Sequence, residues 1–155
     1  MYAALILIAT KSYWYTIYPG PDADELSGPG DSDNMPEDTR QIESLNAFVA
    51  QMSATPVVPT NNSMGWPALI FRYAWPKLPK GPTIYFVRVA CLWYIYAADK
   101  LLAAALDKDN EAFTKELWDV YKEHLLESQA KIRNQDARKL INEAVVQLKR
   151  AEGSG

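Results

Sequence analysis

Residues Ile84 to Leu106 read IYFVRVACLWYIYAADKLLAAAL, and this stretch decides the fold. It is the one long segment that is apolar on every face, which predicts a helix buried all round. At 1.5 Å per residue it would run about 35 Å, enough to cross a small domain. The rest of the chain then has one task, to cover it.

Working outward on the C-terminal side, Asp107-Lys108-Asp109-Asn110 marks a turn and the cap of a next helix. That helix, Glu111 to Ala130, places Phe113, Leu117, Val120, Tyr121, His124 and Leu125 on one stripe. A last helix, Gln135 to Ala151, aligns Ala137, Leu140, Ile141, Ala144, Val145 and Leu148. On the N-terminal side, Pro76, Pro79 and Gly81-Pro82 predict an extended link, preceded by a short helix from Trp66 to Trp75 with Pro67 in its first turn. In that helix Trp66, Leu69, Ile70, Tyr73 and Ala74 share a face. Another helix starts near Pro36-Glu37-Asp38, and Ile42, Leu45, Phe48, Val49 and Met52 recur along it at helical spacing. It ends before Pro56.

Ahead of these elements, Asp22 to Asp38 is acid-rich, contains Gly28-Pro29-Gly30 and holds almost no large apolar residues, so residues 19–36 read as an irregular loop. The first stretch, Tyr2 to Ile17, predicts a buried helix. Its apolar run lacks a basic leader and stops at Lys11, too short for a bilayer span. No period-2 strand and no solenoid repeat stand out. The expectation is an all-α, single-domain bundle of five or six helices around a buried central helix, spanning residues 1–152. Gly153-Ser154-Gly155 reads as a tail outside the fold.

Composition narrows the function. A net charge of −3 over 155 residues argues against a general nucleic-acid binder. The single cysteine, Cys91, excludes an intrachain disulfide framework and points to a reducing, cytoplasmic setting with no membrane anchor. The sequence carries no phosphate loop, nucleophile elbow or dinucleotide fingerprint, and no pattern of metal ligands, so no cofactor and no metal are expected.

Two features suggest a ligand site. From Ser44 to Ala98 there is no acid, while Arg72, Lys77, Lys80 and Arg88 lie among nine aromatic residues between Trp66 and Tyr96. Cations beside rings suit an apolar or anionic aromatic small molecule, with Trp66, Arg72, Tyr73 and Trp93 as binding residues. Ordinary core packing, or neutralisation by the acidic loop, accounts for the same pattern. In the central helix, Arg88 and Asp99 lie about three turns apart on one face, with Leu92 and Ile95 between them. That face either lines a groove or reaches the rim, each charge meeting a neighbour such as Glu43 or Lys77. If the protein is an enzyme, the expectation is a cofactor-free cyclase, isomerase or dehydratase. Arg88 would then stabilise negative charge, and Asp99, Tyr96 or His124 would transfer a proton. The rival from another class is a non-catalytic helical interaction module, with a homodimer as one form.

One resemblance adds to this reading. Leu45-Asn46-Ala47-Phe48-Val49-Ala50-Gln51-Met52 is similar to a helix in a family of fungal proteins of uncharacterised function. There an L-N-A-F-x-A-x-[LM] segment precedes a long alanine- and aromatic-rich helix and two polar amphipathic ones. Tyr94 to Leu106 and the helices after Glu111 resemble that continuation, over about two thirds of the chain. The resemblance implies an all-α fold and a place in fungal specialised metabolism. It transfers no catalytic residue.

Overall fold

The computed structural model describes residues 37–57, 64–75 and 84–153. They form five helices and, among the described residues, no strand: α1 Glu37–Ala54, α2 Gly65–Ala74, α3 Ile84–Leu106, α4 Lys115–Lys131 and α5 Gln135–Gly153. The all-α bundle around a buried central helix is therefore observed. The expected first helix, the acidic loop and the proline-rich link lie outside the described residues.

α3 is the hub, and every other helix packs on it. By length and composition it could cross a membrane, but 56% of its apolar window is buried inside the bundle. That burial fits a core helix, which passes the same composition test. α3 has non-helical dihedrals at Ala97 (φ −135°, ψ 22°), where its bulky half, through Tyr96, gives way to its alanine half.

The alanine half explains the closest pairing in the bundle. Buried residues of α5 follow 4-3-4-3 spacing at Ala137, Ile141, Ala144, Leu148 and Ala151. Buried residues of α3 do the same at Ala90, Tyr94, Ala97, Leu101 and Ala104. Such a repeat makes a narrow seam, and small residues on it let two helices approach closely. α3 and α5 form the most extensive helix–helix contact. Their polar links match early turns with early and late with late: Arg88 feels Asp136, and Asp99 meets Arg150. The two helices thus run in the same direction. α1 does likewise, with Glu43 opposite Arg88 and the Thr55 carbonyl accepting from Lys100.

Most of the described aromatic residues lie in the core, while Phe48, Tyr73 and Tyr96 are exposed. Phe71 is fully buried and meets four rings: it stacks on Tyr94 (5.0 Å, 12°) and takes Trp75, Phe113 and Tyr121 edge-on. Trp118 packs edge-on against Tyr94 at 5.8 Å.

Several sequence expectations shift in detail. α4 begins four residues later than expected. The Asn110 side chain turns the chain by accepting from the backbone N–H groups of Ala112 and Phe113, and Thr114, not Asn110, caps the helix through Leu117 N–H. The buried face of α4 accordingly runs through Trp118, Tyr121, Leu125 and Ser128, leaving Val120 exposed. On α1 the buried face is Ile42, Asn46, Val49, Ala50 and Ser53, and Phe48 is turned outward. Gly153 belongs to α5 and is not part of a tail. Asn134 caps that helix by accepting from Ala137 N–H at 2.9 Å.

Candidate functional site

A groove opens where α1 and α5 both lie along α3 without resting extensively on each other. α1 contributes Glu43, Ser44 and Ala47, α3 contributes Arg88 and Leu92, and α5 contributes Asp136, Lys139 and Leu140. Its volume is about 400 Å³. The short side chains of Ser44 and Ala47 make the hollow, and Leu92 with Leu140 gives it an apolar floor. Two carboxylates and two cations form its walls.

Arg88 and Glu43 are its fixed polar element. Arg88 donates from Nε to Glu43 Oε1 at 2.6 Å and from Nη2 to Oε2 at 3.2 Å. This is the two-pronged geometry that a guanidinium and a carboxylate favour. The side chains are only 14% and 17% exposed, so the pair is screened far less than a surface pair. The hydrogen bond from Arg88 to Glu43 raises the guanidinium pKa, outweighing the opposing effect of burial, so Arg88 stays cationic. Glu43 sits one residue ahead of the acid-free stretch and neutralises the last cation in it.

Removing one member strands the other. Glu43→Leu is expected to cost about 2 kcal/mol, because a largely buried guanidinium loses the carboxylate to which it donates two hydrogen bonds. The double variant Glu43→Leu/Arg88→Met should recover at least half of that loss, since neither charge remains to be desolvated. Urea unfolding of the three proteins measures both effects. A double variant no more stable than Glu43→Leu would contradict the account.

The remaining candidate residues do not assemble around this groove. Asp99 pairs with Arg150 across α3 and α5 (2.7 Å), with both side chains more than half exposed. Of the two placements left open for these charges, Asp99 is at the exposed rim and Arg88 lines the groove; the kink at Ala97 separates their settings, and different helices supply their partners. Tyr96 is 42% exposed on α3. His124, on α4, stacks on Trp75 (6.2 Å, 14°) beside Tyr121. No described contact joins Arg88, Asp99, Tyr96 and His124 into one constellation.

The four expected ligand-binding residues divide similarly. Arg72 and Tyr73 are exposed at the end of α2, with Tyr73 stacked on Phe86 at 5.2 Å. Trp66 and Trp93 are sealed in the core, where both indole N–H groups donate to Asn46 Oδ1, at 3.0 and 3.2 Å. Asn46 is itself buried and donates to the Ile42 carbonyl at 2.9 Å. Among the described residues, the groove thus has no aromatic lining, and its charges balance.

Sequence reasoning missed Ser44, Ala47, Asp136, Lys139 and Leu140, which are ordinary residues until three helices bring them together. Among the described residues, no group of three or more His, Cys, Asp or Glu could hold a metal ion. Burial pushes the Cys91 thiol far above its ordinary pKa, despite the opposing pull of Arg88, so it is held as an unreactive thiol. Burial likewise raises the Tyr94 hydroxyl, which finds no hydrogen-bond partner.

Comparison with protein-family models, with curated proteins and with solved structures gives no match to this chain.

Proposed function

We propose that this chain is a helical interaction module whose α1–α3–α5 groove receives an amphipathic segment of a protein partner. The observation that carries the reading is the groove itself: two helices lie on a third and leave an open, apolar-floored channel between them. An amphipathic helix binds such a channel by seating apolar side chains on the floor and polar ones at the rim. Leu92 and Leu140 would supply the floor, and Asp136 and Lys139 the rim contacts that fix register. Among the described residues, Trp66, Trp75, Trp93 and Trp118 lie in the core, and their indole N–H groups are already engaged by Asn46, Ser128 and Glu152.

A benzophenone amino acid at exposed position 48, next in sequence to the groove residue Ala47, tests this in living cells against the same probe at exposed position 120 on α4. Position 48 is expected to give a discrete protein adduct that position 120 does not. Equal labelling at the two positions, or none at 48, would overturn the reading.

A second reading has its own support. A volume of about 400 Å³ falls within the range of small-molecule sites, and Arg88 lines it. An amphiphilic ligand with an anionic group beside Arg88 would fit, and cofactor-free chemistry of specialised metabolism would follow if a reacting group joined it. Native mass spectrometry of the protein taken directly from cells discriminates. This reading requires a bound small molecule that Ser44→Trp, which fills the groove from its rim, expels.

A further inference from the structure

We infer that Arg72, Tyr121 and His124 form a binding site for a phosphate monoester at the seam of α2 and α4. None of the three lines the groove, so this site stands or falls independently of the docking reading above. The seam is built from rings. Phe71 and Trp75, at the end of α2, lie against Tyr121 with centroids 5.3 and 6.0 Å away, and Trp75 stacks on His124 at 6.2 Å. Tyr121 and His124 sit one turn apart on α4, their rings 6.4 Å from each other. Arg72 follows Phe71 in the last turn of α2 and is exposed. Burial raises the pKa of the Tyr121 hydroxyl and the Arg72 charge opposes that rise, which places the guanidinium within electrostatic reach of the hydroxyl.

The polar atoms of this cluster have no use inside the chain. Among the described residues, no hydrogen bond or ion pair engages Arg72, the Tyr121 hydroxyl or the His124 imidazole, whereas Arg88 and Arg150 each hold a carboxylate. α2 brings no acid to the seam, because none occurs from Ser44 to Ala98. Of the acids nearest His124 in sequence, Glu123 is exposed and Glu127 is drawn to Lys131 at 3.6 Å.

The donor set selects the ligand. A guanidinium grips the oxygens of a phosphate two at a time. A tetrahedral monoester offers three free oxygens to three donors, where a planar carboxylate offers two. An imidazole gains its positive charge in the pH range where a phosphate monoester gains its second negative one, so the two match near neutrality.

His124 is the only histidine, so its ring proton gives one unambiguous NMR signal. Inorganic phosphate added to the full chain at about pH 6.5 and constant ionic strength is expected to move that signal saturably, with half-saturation below about 10 mM. Arg72→Gln should weaken binding roughly tenfold and Tyr121→Phe about threefold. Arg138→Gln, exposed on α5, should leave it unchanged. Both cations are exposed and Tyr121→Phe keeps its ring, so an otherwise unchanged amide spectrum confirms that the variants fold. No saturable movement overturns the inference, as does an equal response to chloride or binding that Arg72→Gln leaves intact. Glycerol phosphate and a phosphoserine peptide, titrated in the same way, separate a metabolite from a modified protein as the source. Tighter binding of either than of inorganic phosphate supports the site, and weaker binding of both overturns the monoester assignment.

Discussion

Asn46→Ala is expected to destabilise the fold by about 3 kcal/mol, because it leaves two buried indole N–H groups without an acceptor. Asn46 is wholly buried, and its one side-chain oxygen serves both Trp66 and Trp93. Each of those rings is itself buried, Trp93 completely. Alanine therefore removes more than a hydrogen bond. It keeps the cost of desolvating both donors and deletes what compensated it, and the space left is lined by ring edges that cannot turn to water. A domain of this kind has a total stability of order 5–15 kcal/mol, so the loss is a large share of the whole.

The comparison that isolates the cause uses Trp93→Phe. In that background one of the two donors is gone, so Asn46→Ala should cost measurably less, with a coupling of about 1 kcal/mol between the sites. Gln51→Ala, on the exposed face of the same helix, should stay within about 0.5 kcal/mol of the parent. Additive effects of Asn46→Ala and Trp93→Phe would show that the oxygen is not the shared acceptor its geometry makes it.

Asn46 also shows what the sequence could disclose and what it could not. Its position was legible as an oddity: a polar residue four after Ile42 and three before Val49, on the face that turns inward. Its purpose was not, because its donors lie 20 and 47 residues away. The same distance concealed the acceptors of Trp75 and Trp118, at Ser128 and Glu152. With those partners unseen, the aromatic residues from Trp66 to Tyr96 and the cations among them suggest a ring-lined site. With them in place, the four described tryptophans are core and Arg88 pairs with Glu43. Long, strongly patterned elements fared better. Ile84–Leu106 was readable to the residue, because its long apolar run is bounded in sequence by Pro82 and by the Asp107-to-Asn110 turn.

Helix starts set by side-chain capping were harder. The Asn110 turn delays α4 to Lys115, which rotates the inferred stripe and hides Trp118, its largest buried residue. The groove was the least legible feature. It depends on α1 and α5 sharing α3 as a platform, a relation between helices that no local pattern encodes. Only the charges on the mostly apolar central helix, Arg88 and Asp99, pointed to it, and of these Arg88 alone lines it.

Trp118 carries the other large expected effect. It is completely buried in the first turn of α4, packs edge-on against Tyr94 and donates its indole N–H to Glu152 Oε1 at 3.1 Å. Trp118→Ala should cost about 4 kcal/mol, the combined loss of a large buried ring and the cavity left behind. The damage should be polarised along the bundle. Glu152 lies at the end of α5 and is also held by Lys122 at 2.7 and 2.8 Å, so this cluster pins the last turn of α5 to the start of α4. Amide exchange should therefore accelerate first near residues 146–152, while residues 137–142 keep their protection.

Trp118→Phe keeps a smaller aromatic ring and deletes the donor, and it leads to a test by pH. Partial burial tends to raise the Glu152 pKa, but hydrogen bonds from Lys122 and Trp118 together bring it below the ordinary glutamate value. A carboxyl group with a depressed native pKa adds stability that is complete above its unfolded value and lost as pH falls through the native one. In Trp118→Phe the Glu152 carboxyl should titrate higher than in the parent, by carbon-detected NMR of the side chain. The acid loss of stability should begin at correspondingly higher pH. A Glu152 titration unchanged by that substitution would mean that Lys122 alone holds the carboxylate, and that Trp118 acts through its packing only.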